Sequence, residues 1–193
     1  MTPPVDAIAV AVRVGGVLDV LGVRHTIGGS IAASFAGEPR STIDIDFVVA
    51  LDRAHVAPLV AVLQDFYVAE EALYRAVETH GTANLIHQDS QIKVDMFMAG
   101  GTPLDDQQLA RRLRVEVRPG QVIYIHPPED VLLQKLRWYR MGGEVSDRQW
   151  RDIIGIIRTQ GNRLDRQYLA ANAPILGVDR ELERALLEAG TAP

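Results

Sequence analysis

Three aspartates and a glycine-rich turn are the residues of this sequence whose types and spacing best suit chemistry on phosphates. Asp44 and Asp46 stand two residues apart in a predicted strand, so their side chains emerge on the same face. Two carboxylates this close repel each other unless a cation lies between them. Mg²⁺ prefers such oxygen ligands and commonly also binds substrate phosphates. The pair therefore predicts a divalent-metal site.

The third acid, Asp95, lies in an otherwise apolar run that ends at Phe97. A buried carboxylate without a partner is costly, so we expect a compensating charge, and a metal ion supplies it economically. A plainer alternative stays open for the first two acids, because D-x-D is a common tripeptide. Those aspartates could simply cap a turn or pair with Arg40 or Lys93.

The glycine-rich turn is Gly28-Gly29-Ser30, which follows a predicted strand at 25–27 and precedes a predicted buried helix at 31–36. Glycines let backbone N–H groups approach a phosphate closely, and the helix N-terminus adds a positive dipole end. Ser30 could cap that helix or donate a hydrogen bond to a phosphate. Because the sequence contains neither G-x-x-x-x-G-K-[ST] nor G-x-G-x-x-G, this turn is neither a Walker loop nor a dinucleotide fingerprint.

The order of polar and apolar residues around Asp44 separates this site from other D-x-D chemistries. In haloacid-dehalogenase-type phosphatases and many glycosyltransferases, the aspartates follow an apolar strand. Here polar residues precede Asp44, and the apolar run 47–50 comes after it. The acids therefore belong near the start of their strand. An EF-hand loop is excluded, because the required glycine and distal Glu are missing.

The remaining elements place these residues in a mixed α and β chain. Hydrophobic spacing and turn signals predict a chain that mixes strands and helices up to residue 126, followed by helices only. We predict helices at 5–21, 53–64 and 70–77, and strands at 42–50, 83–87, 92–97, 113–117 and 122–125. The expected fold is α+β, with a twisted mixed sheet flanked by helices. The expected domains are a catalytic core, 1–126, and a C-terminal helical region, 127–193, packed on the core.

Composition limits the classes of protein to which the chain could belong. It has 193 residues, 47% of them hydrophobic, and a net charge of −5. Without cysteine it has no disulfides or thiolate metal sites, which favours a cytoplasmic location. The sequence contains no apolar run of about 18 residues, so no membrane partner is expected. The basic cluster Arg111, Arg112, Arg114 and Arg118 is either a solvated strand face or a contact for a polyanionic acceptor.

Taken together, these motifs resemble the polymerase-β-like nucleotidyltransferase superfamily. The resemblance lies in Gly28-Gly29-Ser30, thirteen further residues, the sequence Asp44-Ile45-Asp46-Phe47, and Asp95 on a later strand. The sequence from Arg40 to Asp46 is similar to the corresponding segment of the bacterial branch that includes AbiEii-type toxin enzymes. The tail is also similar to that branch, from His126 through Lys135 and then from Ser146 to Ile153. Asp147-Arg148 stands where the wider family often has Lys-Asp, so Arg148 has no assigned role.

The resemblance implies a function and a mechanism. Asp44 and Asp46 would hold Mg²⁺, with Mn²⁺ as an alternative, on a nucleoside triphosphate. Asp95 would share a second metal or act as the base toward an acceptor hydroxyl, and Gly28, Gly29 and Ser30 would bind the β- and γ-phosphates. The implied reaction transfers a nucleoside monophosphate from an NTP, for example ATP. The acceptor would be RNA such as tRNA, a protein, or an antibiotic of the aminoglycoside or lincosamide type. The toxin branch also implies a cognate antitoxin, and the remaining alternative is a non-catalytic nucleotide-binding partner protein.

For Lys135 and Asp152 in the tail, the sequence leaves two roles open, one structural and one in binding. Lys135 lies beside the apolar stripe of a predicted helix at 129–140, where it either snorkels to solvent or reaches an anion. Asp152 points away from the apolar face of the next helix, where periodicity favours a solvated acid paired with Arg148. The resemblance instead places both residues at the nucleotide. The pair Ser146 and Gln149 matches a capping box, a structural role.

Overall fold

The structure, a computed structural model, describes residues 6–37, 39 and 42–190. Arg40 and Ser41, part of the motif that resembles the toxin branch, lie outside the described residues. The described chain divides into two compact units. Residues 6–30 and 42–125 form a sheet unit, and residues 31–37, 39 and 126–190 form a helical unit. None of the described helices is long and apolar enough to cross a membrane.

A seven-stranded mixed sheet organises the first unit, which confirms the predicted α+β class. The strand order is β3-β4-β5-β2-β1-β7-β6. Strand β2 runs parallel to β5, and β1 runs parallel to β7, whereas the other neighbours are antiparallel. The strands are β1 (His25–Ile27), β2 (Asp44–Val49), β3 (Phe66–Val68), β4 (Thr82–His87), β5 (Lys93–Met98), β6 (Leu113–Arg118) and β7 (Gln121–Ile125).

Helices α1 (Ala7–Val20) and α4 (Glu70–Thr79) pack against this sheet. Helix α1 begins after Asp6, whose side chain accepts a hydrogen bond from the backbone of Ala9 at 2.7 Å and so caps the helix. The helices whose described residues lie in this unit are α1 (Ala7–Val20), α3 (Arg53–Val62), α4 (Glu70–Thr79) and α5 (Pro103–Ala110). The positions of α1, α3 and α4 agree with the predicted helices, whereas α5 was not predicted. Among the strands, β3 was not predicted.

The helical unit contains the tail, whose predicted helical character is confirmed, and most of α2 (Gly29–Ala36). Within it, Gln160 at the end of the helix Asp147–Gln160 donates a hydrogen bond to the carbonyl of Ala36 at 2.6 Å, which connects that helix to α2. The buried-helix prediction for 31–36 is right for four of its residues but wrong for Phe35, which is 47% exposed. The tail helices are α6 (Pro128–Met141), α7 (Asp147–Gln160), α8 (Arg166–Leu176) and α9 (Asp179–Glu188).

Candidate active site

Strands β2 and β5 bring the three predicted aspartates onto one face of the sheet. In their parallel register Asp46 is the direct partner of Asp95, and Asp44 is the partner of Lys93. Partners on adjacent strands point to the same side, and strands lie about 4.8 Å apart. Asp44, Asp46, Lys93 and Asp95 therefore form a two-by-two group of side chains, hereafter the acidic tile.

The opposite face of the same two strands is apolar and buried. Ile45, Phe47, Val94 and Met96 are all 0% exposed, whereas the tile residues that alternate with them are exposed or half-buried. A continuous apolar run such as 47–50 predicts a strand that is buried on both faces. In the structure Val48 is half-buried instead, because it lies on the same face as the tile. One face of the strands thus supplies the core, and the other presents carboxylates.

The glycine turn lies directly against the second aspartate of the tile. The backbone N–H of Gly28 donates to the carbonyl of Asp46 at 2.8 Å. Gly29 has φ +52°, and an ideal Cβ on it would stand 2.6 Å from Cγ of Asp46, with Oδ2 nearer still. Only glycine permits this approach, because any side chain would displace the carboxylate. Helix α2 begins at Gly29, so Ser30 lies within its first turn rather than ahead of it as a cap.

Lys93 supplies the positive charge of the tile. Its Nζ stands 2.9 Å from Oδ2 of Asp95, whose side chain is only 15% exposed. The hydrogen bond to Asp95, together with the negative charges of Asp95, Asp44 and Asp46, raises the pKa of Lys93. The apolar run around Asp95 predicted that a metal ion would compensate its charge. In the structure Lys93 does so, because residues two apart on a strand share a face.

The donor chemistry of the tile fits a hard divalent cation, since carboxylate oxygens are the ligands that Mg²⁺ and Mn²⁺ prefer. The side chains do not yet converge on one point. Within residues 6–37, 39 and 42–190, no group of three or more His, Asp or Glu side chains is close enough to hold a metal ion. Asp95 is hydrogen-bonded to Lys93, and a metal site at Asp44, Asp46 and Asp95 stays a prediction.

Lys135 and Asp152 meet each other in the helical unit. Lys135 Nζ donates to Oδ2 of Asp152 at 2.8 Å, and the two side chains are 8% and 16% exposed. This contact connects α6 to α7, and it differs from the alternative in which Asp152 is a solvated acid. Ser146 caps α7 by accepting from the backbone of Gln149 at 3.3 Å, as the S-x-x-Q pattern predicted.

The predicted arginine cluster has structural partners in part. Arg112 stacks over the ring of Tyr124 at 4.0 Å and donates to the carbonyl of His25 at 2.7 Å. Arg118 forms an ion pair with Asp6. The pKa of the Asp6 carboxyl is lowered mainly by the hydrogen bond from the backbone of Ala9, and the ion pair with Arg118 lowers it further. Because Arg112 and Arg118 make local contacts, the cluster as a whole carries no functional assignment.

Two residues near the acids were not singled out from the sequence. Lys93 was considered only as a pairing partner, although its i, i+2 spacing from Asp95 was visible. Asn84 is the register partner of Asp95 on β4 and is exposed on the same side. Only the strand pairing reveals this neighbour, because it is eleven residues away in the chain.

No family model and no curated protein matches this sequence. Solved structures do match it. The chain is similar to an antigenic nucleotidyltransferase-like protein from Paracoccidioides brasiliensis, with 19% identity and a TM-score of 0.58, covering 98% of this chain and 97% of that one. It is also similar to ANT(2")-Ia in complex with adenylyl-2"-tobramycin, with 14% identity and a TM-score of 0.57, covering 88% and 96%. A solution structure of the antibiotic-resistance factor ANT(2'')-Ia gives 13% identity and a TM-score of 0.52, covering 95% of each chain.

These similarities extend over almost the whole of each chain and establish that this protein has the nucleotidyltransferase fold. At such identities they concern the fold alone. The finer assignment to the AbiEii-type branch stays a prediction.

Proposed function

We propose that this chain is a metal-dependent nucleotidyltransferase that transfers a nucleoside monophosphate from an NTP to an acceptor hydroxyl. The observation that carries the proposal is the acidic tile beside the glycine turn. Asp44, Asp46 and Asp95 share one face of a nucleotidyltransferase-fold sheet, and Gly29 lies against Asp46. We assign the chemistry to the predicted catalytic core, 1–126.

In this proposal Asp44 and Asp46 hold Mg²⁺ or Mn²⁺. A bound divalent ion would neutralise phosphate charge and stabilise the leaving oxygen in such displacements. The backbone N–H of Gly29 and the hydroxyl of Ser30 orient the β- and γ-phosphates near the start of α2. Gly28, whose own N–H donates to the carbonyl of Asp46, shapes the turn that brings these groups to the phosphates.

The bond changes balance as follows. The acceptor oxygen forms a bond to the α-phosphorus, the bond from that phosphorus to the bridging oxygen breaks, and pyrophosphate leaves with the bonding pair. The proton of the acceptor hydroxyl passes to the carboxylate of Asp95. Orientation of the reactants and neutralisation of charge supply most of the rate.

Two classes of acceptor have support. The structural similarity to ANT(2")-Ia, whose complex contains adenylyl-2"-tobramycin, favours an antibiotic hydroxyl. The sequence resemblance to AbiEii-type enzymes favours RNA or protein, with a cognate antitoxin as partner. A non-catalytic nucleotide-binding protein is disfavoured because all three acids are present. A nucleotide contact by Lys135 and Asp152 stays a prediction.

Labelled nucleotides test the proposal. The protein is incubated with Mg²⁺, each α-labelled NTP, and either cell extract or a panel of aminoglycosides and lincosamides. We expect label in one acceptor class and none with Asp46→Ala, which should also lose Mg-NTP binding while remaining folded. Asp95→Asn should retain nucleotide binding but lose transfer. If Asp46→Ala binds Mg-NTP as well as the parent, the metal assignment is wrong.

A further inference from the structure

The face that carries the acidic tile continues past Asp95 onto the two outermost strands on that side of the sheet. Asn84 on β4 is the register partner of Asp95, and Ile86 on β4 is the partner of Lys93. On β3, Tyr67 is in turn the partner of Ile86. Register partners point to the same side of a sheet. The side chains on β3 and β4 that continue the tile face are hereafter the outer platform: Tyr67, Thr82, Asn84 and Ile86.

The outer platform is open to solvent, whereas the opposite side of the same two strands belongs to the core. Tyr67 is 65% exposed, and Asn84 is also exposed. Phe66 and Leu85, which stand next to them in the chain and point to the other side, are buried. Core packing therefore explains only one side of β3 and β4. It leaves unexplained an open aromatic ring with a polar tip, a type of side chain that is common at binding surfaces.

The order of the strands places the outer platform on the side of Asp95 that faces away from the glycine turn. Strand β5 carries Asp95, with β2 and β1 on one side of it and β4 and β3 on the other. Strands lie about 4.8 Å apart, so the backbone of Asn84 is about 5 Å and that of Tyr67 about 10 Å from β5. In the proposed reaction the triphosphate occupies the side of β2 and the glycine turn, and Asp95 takes the proton of the acceptor hydroxyl. An acceptor that reaches Asp95 from the remaining side lies over β4 and β3.

The outer platform carries no charge on any of its four side chains, all of which belong to the described part of the chain. The charged residues that adjoin it in register, Lys93 and Asp95, are paired with each other at 2.9 Å. A polyanionic acceptor such as RNA requires cations that neutralise its phosphates. A polycationic acceptor such as an aminoglycoside requires carboxylates beside its ammonium groups. The outer platform itself offers neither.

The groups of the outer platform suit instead an uncharged molecule that carries several hydroxyls. The amide of Asn84 supplies both donors and an acceptor, and the hydroxyl of Thr82 donates and accepts. Tyr67 and Ile86 add apolar surface, on which the C–H face of a sugar ring can lie. A few polar groups set among apolar ones are the usual composition of a small-molecule site.

We propose that the outer platform binds the acceptor, and that the acceptor is an uncharged small molecule with several hydroxyls, such as a neutral glycoside. The inference rests on the proposed function and specifies the substrate class of the same site. Asn84 is here a specificity-determining residue, because it hydrogen-bonds a hydroxyl that neighbours the one reacting at Asp95. The ring of Tyr67 supports the apolar face of the acceptor.

Binding of simple sugars tests the outer platform without recourse to transfer activity. The full chain, free of metal ion and nucleotide, is titrated with the methyl glycosides of glucose, galactose and mannose, and binding is followed by saturation-transfer difference NMR. The 2-amino and 6-phosphate forms of the same sugars are the charged probes. We expect a neutral glycoside to bind at least about threefold more tightly than its charged forms, whose charges find no partner on the platform. Asn84→Leu and Tyr67→Ala should each weaken its binding about two- to tenfold, the effect of one lost hydrogen bond or aromatic contact.

Matched substitutions away from the outer platform are the controls. Asn162→Leu changes an exposed asparagine of the helical unit, and Tyr74→Ala changes a tyrosine of α4 whose ring lies 4.6 Å from the guanidinium of Arg53. Both variants should bind the glycosides as the parent does. Asn84→Asp, which adds one negative charge at nearly constant shape, should raise the affinity for the 2-amino form at least to that for the neutral glycoside.

The outcomes separate this inference from the proposed function. Tighter binding of the charged forms, binding of none of the probes, or unchanged binding by either Asn84→Leu or Tyr67→Ala would overturn the outer platform. The proposed function would then still stand on Mg-NTP binding and transfer of label. If the glycosides bind as expected but the parent transfers no label and Asp46→Ala keeps Mg-NTP binding, the proposed function falls and the outer platform remains a sugar-binding surface.

Discussion

Gly29→Ala is the substitution that tests most directly how the backbone is built around the second aspartate. Gly29 has φ +52°, and an added Cβ would meet Cγ of Asp46 at 2.6 Å and its Cβ at 3.0 Å. An alanine in the left-handed region costs about 1–2 kcal/mol, and forcing the carboxylate aside adds about 1–3 kcal/mol of overpacking. The free energy of unfolding should therefore fall by about 2–5 kcal/mol.

Gly22→Ala separates the two contributions. Gly22 has φ +71° and nothing within 4 Å of an added Cβ, so it carries the backbone cost alone. Urea unfolding in metal-free buffer should give a loss of about 1–2 kcal/mol there. In an Asp46→Ala background, which removes Cγ and Oδ2 but keeps Cβ 3.0 Å away, Gly29→Ala should cost less than in the parent, although still somewhat more than Gly22→Ala. The resulting coupling energy between positions 29 and 46 is about 1–3 kcal/mol.

The same variants separate stability from chemistry. A displacement of about 1 Å at a reacting centre lowers rates by about a hundredfold, so Gly29→Ala should lose transfer activity to that extent, whereas Gly22→Ala should keep it. Equal unfolding energies for Gly29→Ala and Gly22→Ala in the parent background would refute the close approach to Asp46. An additive double mutant would do the same.

Two further outcomes follow from buried polar groups of the helical unit. Burial lowers the pKa of His126 to about 4, below the 6.5 of an exposed imidazole, so the unfolded chain binds a proton that the folded chain does not. Stability should fall as the pH drops from 6.5 toward 4, by about 3 kcal/mol in all. The His126→Gln variant should lack this contribution, so the slope should appear in the difference between the parent and the variant. Tyr168 donates to the fully buried Asp130 at 2.6 Å, so Tyr168→Phe should lower the unfolding free energy by about 1.5–3 kcal/mol. Tyr67→Phe, at a 65% exposed site, should change it by less than about 0.5 kcal/mol, and equal losses would rule out the special role of the Tyr168 contact.

Hydrophobic alternation made the strands of the candidate site predictable. Strand β2 was expected at 42–50 and lies at Asp44–Val49, and β5 was expected at 92–97 and lies at Lys93–Met98. Strand β3, Phe66–Val68, is too short to show a period of two. Helix α5 did have a signal, because Thr102 and Asp105 form a capping box around a proline at its first position.

Contacts between residues that are distant in the chain could not be predicted from the sequence. The register that sets Asp46 against Asp95 joins residues 49 positions apart, and it depends on how the intervening helices and hairpin return the chain to the sheet. The partner of Asp152 is a similar case. Periodicity placed this acid on the solvated face of α7, but the buried ammonium of Lys135 on the adjoining helix α6 provides a partner that no spacing within α7 could indicate.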